Sequence, residues 1–479
     1  MRILFVVTNV GVVESYGPMY LSSLAKSQGH EIRFTRFAPV SVEKAVRWWK
    51  PDVVAWSAYS GEFGAMAKTN DALKKKAGFV SVFGGVHATY FPEALWDHDI
   101  NYGVMGEAEN CFPALLDAIS AHAPADHIPS VITREKPQNS LAPLVQDLDS
   151  LPMPDYAGYY AADPFLRGFP VKMFIPSRGC PFRCAYCFNH QFRALYKGQI
   201  KGVRRYGVPR LMDEVLYVKK NYPLEFVRFN DDCFVLKKDA WLEQFCQEFP
   251  RKVGLPFMCV MNPTTVKEET VAMLKEAGLA SVFMAIECGD DQYRKTVLRR
   301  NISNPVLLDA FEIFARHKIA VWSTLMLGLP GTTFDHDVKT LNVALECQPS
   351  LINAPIFQPY PKLLLTRYAM ENGHCPANMA DGNKLFFGRS VLNFSQSVKN
   401  KQKNLSDVFH LMVQFPMLEK LLMPVIDHRL AILPFAVLSS LHNGYALQTK
   451  IFPHKMTPKR IFLNVSQAFK YFGEMLLGR

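Results

Sequence analysis

The sequence has neither a leader at its start nor a hydrophobic run of membrane-spanning length. It opens with "MRILFVVTNVG", an apolar strand-like run and a turn, which lacks the charged-then-apolar order of a secretion signal. The longest uncharged apolar stretch near its end, "LAILPFAVLSSL" at 430–441, is too short to cross a bilayer. We therefore expect a cytoplasmic protein. Its 479 residues, 49% of them apolar, are enough for roughly two to four domains with their own cores.

No RNA-binding motif and no run of basic and aromatic residues is present, so we expect no nucleic-acid partner. The net charge is nevertheless +11, and residues 399–479 contribute +7 of it, with 11 Lys and Arg against 4 Asp and Glu. Such a basic segment fits an anionic lipid surface or an anionic substrate, and it also fits an ordinary solvated surface.

Cysteine is scarce in the first third of the chain, where Cys111 alone precedes residue 180. Three of the ten cysteines, Cys180, Cys184 and Cys187, lie together in "SRGCPFRCAYCFN". Without a secretion signal, the compartment is expected to be reducing rather than disulfide-forming. The other seven are expected to be small core residues, namely Cys111, Cys233, Cys246, Cys259, Cys288, Cys347 and Cys375.

The three clustered cysteines follow the apolar run "VKMFIPS" with the spacing C-x3-C-x2-C. Thiolates so close in the chain can converge on one metal centre, and three of them on a 4Fe–4S cluster leave the fourth iron open. An open position on a metal is where chemistry takes place. Zinc is the alternative. It requires a fourth ligand nearby, for which His190 is the only local candidate.

The segment "GCPFRCAYCFN" resembles the signature of the radical S-adenosylmethionine (SAM) superfamily, including the aromatic Tyr186 before the third cysteine. The resemblance implies a 4Fe–4S cluster on the three cysteines, with SAM on the open iron. An electron from an external donor of the flavodoxin or ferredoxin type then cleaves SAM. The resulting 5′-deoxyadenosyl radical abstracts hydrogen from an unactivated carbon. Such a site needs no strong acid or base, so no catalytic acid–base residue is predicted.

Residues 1–125 alternate β-rich apolar runs with helical patterns, which is typical of a doubly wound parallel sheet. Ligands of such sheets bind beyond the carboxyl ends of the strands, where the strand order reverses. The Pro-rich residues 126–170 are expected to form a linker. We expect strands at 2–8, 31–37, 52–60, 79–85 and 102–106, and helices at 17–30, 41–49 and 61–78.

A second alternation, over 171–360, predicts six βα units of a partial barrel with its active site at the carboxyl strand ends. The cysteine loop follows the first of these strands, as that rule requires. Residues 361–479 lose the alternation and are expected to form a helical domain. The barrel strands are expected at 171–176, 225–230, 256–261, 281–286, 319–327 and 351–358.

Further strand ends carry residues whose positions resemble SAM-binding positions of the superfamily. Asp231 and Asp232 end the second barrel strand, where the resemblance implies contact with the SAM ammonium. Glu287 ends the fourth strand and matches a ribose-contacting position. In "LMLGLPGTT", Gly328 matches the segment that lets backbone approach the adenine, shaped by Pro330 and Gly331. The alternatives are a helix cap or turn for the two aspartates, a solvated carboxylate for Glu287 and an ordinary strand-end turn for the glycine segment.

The segments "VFGGVHATYFPE" (82–93) and "YGVMGEAEN" (102–110) resemble the cobalamin-binding domain that precedes many radical SAM cores. The D-x-H-x-x-G motif of other cobalamin proteins is absent, because "NVGVVESYGP" stands in its place. The resemblance therefore implies bound cobalamin without a histidine from that motif on cobalt. A degenerate domain that binds nothing is the alternative. The residues implied in cobalamin binding are Gly84, Gly85, His87, Thr89, Gly106 and Glu107.

Two further features of the sequence distinguish this chain from other members of the superfamily. Methylthiotransferases share this domain order but need three cysteines before the core, whereas this chain has only Cys111 there. After the last barrel strand, "QPYPKLLLTRYAMENG" resembles a family turn in which Lys362 and Leu363 replace Gly-Thr. We therefore expect the substrate side of the barrel to differ from that of relatives.

The resemblance implies a cobalamin-dependent radical SAM methyltransferase that acts on an unactivated carbon of a small substrate. A lipophilic substrate is one candidate, and a lipid, a porphyrin, an antibiotic precursor and a peptide all stay open. The alternatives are a radical cyclase or skeleton-rearranging enzyme with the same cofactors, and a non-catalytic cobalamin carrier, which would have no use for an open iron. The apolar, cation-bearing "FPMLEKLLMPVIDHRLAILPFAVLSSL" and "PKRIFLNVSQAFKYFGEMLLGR" suggest contact with the inner face of a membrane. A helical cap on the barrel is the alternative for these segments.

Overall fold

The computed structural model describes residues 1–8, 13–200, 202–375 and 388–455. The basic segment "PKRIFLNVSQAFKYFGEMLLGR" lies outside these ranges. The first domain contains β1 (Arg2–Val7), α1 (Tyr16–Ser27), β2 (Glu31–Arg36), α2 (Pro39–Trp49), β3 (Val53–Ser57), α3 (Ser60–Lys74), β4 (Val80–Gly84), α4 (Val86–Tyr90), β5 (Tyr102–Val104), α5 (Phe112–Ser120) and β6 (Val131–Ile132).

The strands of this domain form one sheet in the order β2-β1-β3-β4-β5-β6. All neighbours are parallel except β5 and β6, which are antiparallel. Strands β1 and β3 are apolar and buried along most of their length because helices cover both faces of the sheet. The strand order reverses between β1 and β3, which predicts a ligand site at their carboxyl ends. The doubly wound sheet expected from the sequence is confirmed. Strand β6 extends it from within the stretch predicted as a linker.

The second domain contains a six-stranded parallel sheet in the order β14-β13-β12-β11-β10-β7, and β8 pairs with β9 in a separate hairpin. This arrangement confirms the partial barrel. Two short helices precede it, α6 (Tyr156–Ala162) and α7 (Pro164–Gly168). Its elements are β7 (Val171–Phe174), β8 (Ser177–Arg178), α8 (Phe188–Leu195), β9 (Arg204–Arg205), α9 (Val208–Asn221), β10 (Phe226–Phe229), α10 (Ala240–Lys252), β11 (Phe257–Val260), α11 (Glu268–Glu276), β12 (Leu279–Phe283), α12 (Asp291–Thr296), α13 (Asn304–Arg316), β13 (Ala320–Thr324), α14 (Phe334–Cys347) and β14 (Leu351–Asn353).

The barrel is open between its edge strands, β7 and β14, and two of the C-terminal helices pack at the β14 edge. The C-terminal helices are α15 (Leu364–Glu371), α16 (Gln396–Gln414), α17 (Met417–Leu422) and α18 (Arg429–Ala446), and a π-helical turn at Leu447–Ile451 continues α18. Ala446, Ile451 and Phe452 pack against the first residues of several barrel strands. The helical cap, given above as the alternative to membrane contact, is therefore present within the described residues, and it closes the end of the barrel opposite the cysteine loop.

One helix in the described part of the chain, Arg429–Ile451, is long and apolar enough to cross a membrane by length and composition alone. It exceeds the apolar run predicted from the sequence because residues 442–451 continue the helix with polar side chains between apolar ones. Only 22% of its most apolar stretch is buried, so most of it is not core.

Candidate active site

The cysteine loop leaves the carboxyl end of β7, passes through β8 and turns at Gly179, whose φ is +97°. Gly179 can adopt this left-handed conformation because it has no Cβ. The loop then carries Cys180, Cys184 and Cys187, all with free thiols, and ends where α8 begins at Phe188. Cys184 is buried, and the other two are half-buried at the barrel mouth.

The thiols of this loop are close enough to influence one another. Burial, with smaller contributions from Asp232 and the neighbouring thiols, raises the pKa of the Cys180 and Cys187 thiols to about 11. Within the described residues, no three His, Cys, Asp or Glu converge on a single metal ion. Each cysteine that holds a 4Fe–4S cluster binds a different iron. The cysteine sulfurs therefore lie further apart than the ligands of a single zinc ion. Three free thiols are the donor set that a 4Fe–4S cluster uses, and the described residues do not group His190 with them.

Two of the residues that the resemblance implies in SAM binding, Tyr186 and Glu287, are in contact. The Tyr186 hydroxyl donates to Glu287 Oε1 at 2.8 Å. Arg300 Nη1 lies 3.3 Å from the Tyr186 hydroxyl and 3.9 Å from Glu287 Oε1. Burial raises the pKa of Glu287, and Arg300 opposes this shift. Glu287 has φ +69°, a conformation that a non-glycine residue rarely adopts, so its side chain is held in a constrained position.

Arg300 is a site residue that the sequence reasoning missed. It lies in "LRRN" after α12, with no motif to mark it. Its guanidinium also donates to Ala285 O at 2.9 Å, which ties it to the chain just after β12. Only the folded arrangement brings this arginine beside Tyr186, so no local pattern could have identified it.

The two aspartates after β10 face different surroundings. Asp231 is buried and accepts a hydrogen bond from the Ser177 hydroxyl, and burial raises its pKa to about 8. Asp232 is exposed and accepts from the Asn189 side chain and the Gly179 backbone N–H, within electrostatic reach of the Cys180 and Cys187 thiols. Asp232 is therefore the better placed of the pair for a cationic group of a molecule bound at the cluster.

Side chains from other elements support the glycine-bearing segment after β13. Gly328 has φ +63°, and its backbone N–H donates to Asp337 Oδ1 at 2.8 Å. Gln402 of α16 donates to the other oxygen of Asp337 at 3.1 Å, and it lies where a Cβ at Gly328 would point. Beyond Gly328, the Pro330 carbonyl accepts from the Tyr293 hydroxyl at 2.6 Å, and His374 Nε2 lies where a Cβ at Gly331 would point. The C-terminal domain thus supports the segment proposed to meet the adenine.

Asp337 gives a stability test of this support. Burial raises the pKa of Asp337 to about 7, so the folded protein binds a proton that the unfolded chain, with an ordinary carboxyl pKa of about 4, has lost. Stability should therefore fall as pH rises between these two values and level off above the higher one. We expect Asp337→Asn to remove that fall, because the amide oxygen still accepts from Gly328. The melting-temperature difference, variant minus wild type, should be about 2–4 °C more positive at pH 7.5 than at pH 5.

The matched control for this test is Asp335→Asn, an exposed carboxylate in the first turn of the same helix. It should shift the melting temperature equally at both pH values. Equal shifts for Asp337→Asn would mean that Asp337 is ionised in the folded protein over this whole range.

A cleft of about 350 Å³ opens at the carboxyl ends of β1, β3, β4 and β5, at the reversal of strand order. Most of its wall is apolar and comes from the first domain. Four of the six residues proposed for cobalamin line it, namely Gly84, Gly85, Gly106 and Glu107. Ile175 and Arg178 of the barrel complete the wall, so the cleft faces the barrel mouth. This glycine-lined position suits a large planar ligand that must approach the backbone closely.

His87 and Thr89 do not line the cleft. His87 stacks on Phe63 at 3.9 Å between ring centroids, and its Nδ1 lies 3.2 Å from the Ser60 hydroxyl. Burial lowers the pKa of His87 to about 4, so it is neutral at physiological pH. Thr89 accepts from the Gly106 backbone N–H at 2.9 Å and donates to Gly85 O at 2.8 Å. Both residues therefore shape the loops around the cleft.

Buried ion pairs join the cleft to the cysteine loop. Arg178, two residues before Cys180, contacts Glu107 at 3.2 Å and Glu109 at 2.7 Å. Arg204 of β9 binds both oxygens of Glu107, with the Nη1 contact at 3.0 Å and the Nη2 contact at 2.5 Å. The fold thus fixes the edge of the cleft to the start of the cysteine loop.

Lys362, which departs from the family turn, makes a second connection between the domains. It has φ +66°, and its ammonium donates to Tyr90 O and lies 3.0 Å from Glu93 Oε1. At this turn, a lysine that reaches the first domain thus stands where the family has a glycine. It lies after β14, at the edge of the barrel opposite β7 and Arg178.

Comparison with known proteins assigns both domains. Residues 174–344 match the family model of the radical SAM superfamily, and residues 3–116 match that of the B12 binding domain. An uncharacterized methyltransferase, PH0819, from Pyrococcus horikoshii is 25% identical over 75% of this chain and 80% of its own length. The hopanoid C-3 methylase of Methylococcus capsulatus is 24% identical over 72% of this chain and 67% of its own.

The anaerobic magnesium-protoporphyrin IX monomethyl ester cyclase of Cereibacter sphaeroides is 24% identical over 66% of this chain, which spans about half, 53%, of that relative. Among solved structures, the cobalamin-dependent SAM radical enzyme OxsB superposes with a TM-score of 0.68 at 13% identity, covering 98% of this chain and 83% of that chain. At that identity the superposition shows a shared fold. Together with the two domain matches, it agrees with the fold described above.

Proposed function

We propose that this chain, whose two domains match the radical SAM superfamily and the B12 binding domain, is a methyltransferase acting on an unactivated carbon. When bound, the 4Fe–4S cluster with SAM supplies a hydrogen-abstracting radical, and the cobalamin supplies a transferable methyl group. The residues proposed to hold the cluster are Cys180, Cys184 and Cys187, and the cleft around Gly84 and Gly106 is proposed to hold the cobalamin.

The observation that carries this proposal is the shared wall between the cleft and the cysteine loop. Arg178 lines the cleft, pairs with Glu107 and Glu109, and leads directly into Gly179 and Cys180. Methyl transfer to a substrate radical requires the methyl donor and the radical centre to be held in one geometry. A largely buried ion-pair network between the two proposed cofactor positions supports such a fixed geometry, because breaking one pair would leave a desolvated charge without its partner.

The side chains around the loop position and shield the reactants rather than exchange protons. Tyr186, Glu287 and Arg300 form a buried polar group beside Cys184, suited to the hydroxyl groups of a bound nucleoside. Asp232 is proposed to meet the ammonium group of SAM. The reducing electron is proposed to come from an external flavodoxin- or ferredoxin-type protein, since the sequence carries no second cysteine cluster.

The substrate is proposed to be small and lipophilic, and the location cytoplasmic with contact to the inner membrane face. Two relatives bear names that refer to a hopanoid and a porphyrin, whose ring systems are largely apolar. All ten cysteines are free thiols, which fits a reducing compartment. The exposed apolar side chains of α17 and α18 support the membrane contact.

Product stoichiometry tests the reaction class. Anaerobically reconstituted protein is given SAM with a deuterated methyl group and a panel of hopanoids, porphyrins and other small lipophilic compounds. A methyltransferase should yield one S-adenosylhomocysteine and one 5′-deoxyadenosine for each deuterated methyl group found in product. A cyclase should yield 5′-deoxyadenosine and an unlabelled product with fewer hydrogens. Formation of neither nucleoside product with any compound would leave a cobalamin-binding protein without this activity.

A further inference from the structure

Exposed apolar side chains are concentrated in one stretch of the chain. Of the 14 large hydrophobic residues that are exposed in the described part of the chain, eight fall between residues 415 and 445. We call this set the apolar flank; it consists of Phe415, Met417, Leu421, Leu430, Leu433, Leu438, Leu441 and Tyr445. Leu430 is 87% exposed and Met417 86%, so these side chains contribute little to the core. An apolar set of this size on adjacent helices marks an interaction surface.

The opposite face of α18 is fixed to the barrel. Ile432, Ala436, Ser439 and Ala446 are buried, at spacings that place them on one face of the helix. His442 Nδ1 lies 2.9 Å from His410 Nε2, and the Ser281 hydroxyl donates to Ile451 O at 2.6 Å. These contacts hold the helix along the barrel. It cannot span a bilayer without unpacking from β14 and uncovering the end of the barrel.

Positive charge borders the apolar flank. Residues 388–455 contain eight Lys and Arg and three Asp and Glu. Lys420 is exposed beside Leu421, and Lys450 is exposed five residues after Tyr445. A small pocket of about 150 Å³ lies at the start of α18, lined by Arg389, Lys403 and Arg429 together with Asn400, Asn404 and Asp427. Asp407 pairs with Lys403 and Arg429, and Asp427 pairs with Lys401 at 3.4 Å, which leaves the surroundings of the pocket net positive.

We propose that the apolar flank docks the enzyme on an anionic membrane, with α17 and α18 lying in the plane of the interface. The leucines insert among the acyl chains, and the pocket at the start of α18 receives a lipid phosphate. Apolar side chains bordered by cations are the composition of interfacial helices, and anionic headgroups complement the charge. A protein partner or a second copy of the chain would not require this net positive border. The inference rests on the membrane contact proposed above and assigns it to a surface.

Vesicle flotation with the full chain tests the proposal. Wild type should bind vesicles of phosphatidylcholine with phosphatidylglycerol at least about tenfold more tightly than phosphatidylcholine alone, and salt should weaken the binding only in part. The triple variant Leu430→Asn, Leu438→Asn, Leu441→Asn should bind about tenfold or more weakly, because its apolar insertion is lost. The double variant Arg389→Gln, Lys403→Gln should lose the preference for phosphatidylglycerol and keep the weaker binding to phosphatidylcholine.

The matched control is Val40→Asn with Trp48→Asn, two residues of α2 that are 79% and 76% exposed in the first domain. It should bind like wild type. The proposal is wrong if wild type binds no vesicle, if the triple variant binds like wild type, or if the control loses binding equally. It is also wrong if truncation after Lys455 alone abolishes binding, because residues 456–479 would then be the docking element.

Two further measurements separate the remaining possibilities. Extraction of the vesicle-bound protein with alkaline carbonate should release it, whereas resistance would indicate a spanning helix and contradict the in-plane arrangement. Sedimentation should show the same mass for wild type and the triple variant. A dimer that the triple variant abolishes would assign the flank to self-association instead. Binding is measured without turnover, so its failure is distinct from failure of methyl transfer.

Discussion

Replacing Cys184 with Ala is expected to abolish SAM cleavage and to prevent assembly of a complete cluster. Cys184 is the buried member of the three, enclosed between the Tyr186–Glu287–Arg300 group and the barrel. Loss of one thiolate leaves an iron without its protein ligand, and a cluster needs all three to remain site-differentiated. Anaerobically reconstituted wild type should carry about four irons per chain and release 5′-deoxyadenosine from SAM under a strong reductant. The variant should release none above background.

The control for this change is Cys246→Ala on α10, a buried thiol away from the loop. It removes a small core side chain and should cost only about 1 kcal/mol of stability, with iron and cleavage unchanged. The assignment fails if the triple variant lacking Cys180, Cys184 and Cys187 still holds four irons and cleaves SAM at the wild-type rate.

The sequence was sufficient to predict the architecture because the signals for it are local. Buried parallel strands must be continuous apolar runs, and the helices between them must be amphipathic, so their order is visible along the chain. Strand bounds were less well predicted. The run at 319–327 ends as strand β13 at Thr324, because Leu325 and Leu327 form only isolated bridges before the turn at Gly328.

The site was predictable only where a residue type is tied to a short motif. The cysteine loop and the glycines of the cleft belong to such motifs. Arg300 and Gln402 do not, because each reaches the site from an element distant in sequence. The motif "GGVHAT" also does not indicate which of its residues face the cleft and which shape the loops around it. That distinction depends on the stacking of His87 on Phe63, which the sequence does not display.

The departure at Lys362 shows how a local rule and a tertiary contact can compete. A glycine would adopt φ +66° there without strain, whereas lysine in this conformation costs stability. The ammonium of Lys362 contacts Tyr90 O and Glu93 in the first domain, which offsets part of that cost. With Arg178 on the other side of the opening, the B12-binding domain is connected to the barrel next to both edge strands. That arrangement places the cleft over the mouth.

Replacing Gly84 with Leu is expected to prevent cobalamin binding while leaving the cluster intact. Gly84 ends β4 on the same face as Val82, and both line the cleft. A Cβ at this position meets only Val104, at 3.9 Å or more, and the backbone is not left-handed, so leucine fits the fold and projects into the cleft. Gly85 would be a poor choice, since its φ is +89° and a Cβ would lie 3.1 Å from the Ala58 backbone.

The matched control is Gly78→Leu, just before the opposite end of β4, where a Cβ has open space and the residue is exposed. Absorption titration with hydroxocobalamin should show binding weakened about 100-fold or more in Gly84→Leu, which corresponds to roughly 3 kcal/mol, and unchanged in Gly78→Leu. Iron content and reductive SAM cleavage should remain at wild-type levels in both, because the cysteine loop belongs to the barrel. Full corrinoid binding by Gly84→Leu would place the cobalamin outside this cleft. Loss of iron as well would show that the two cofactor positions do not assemble independently.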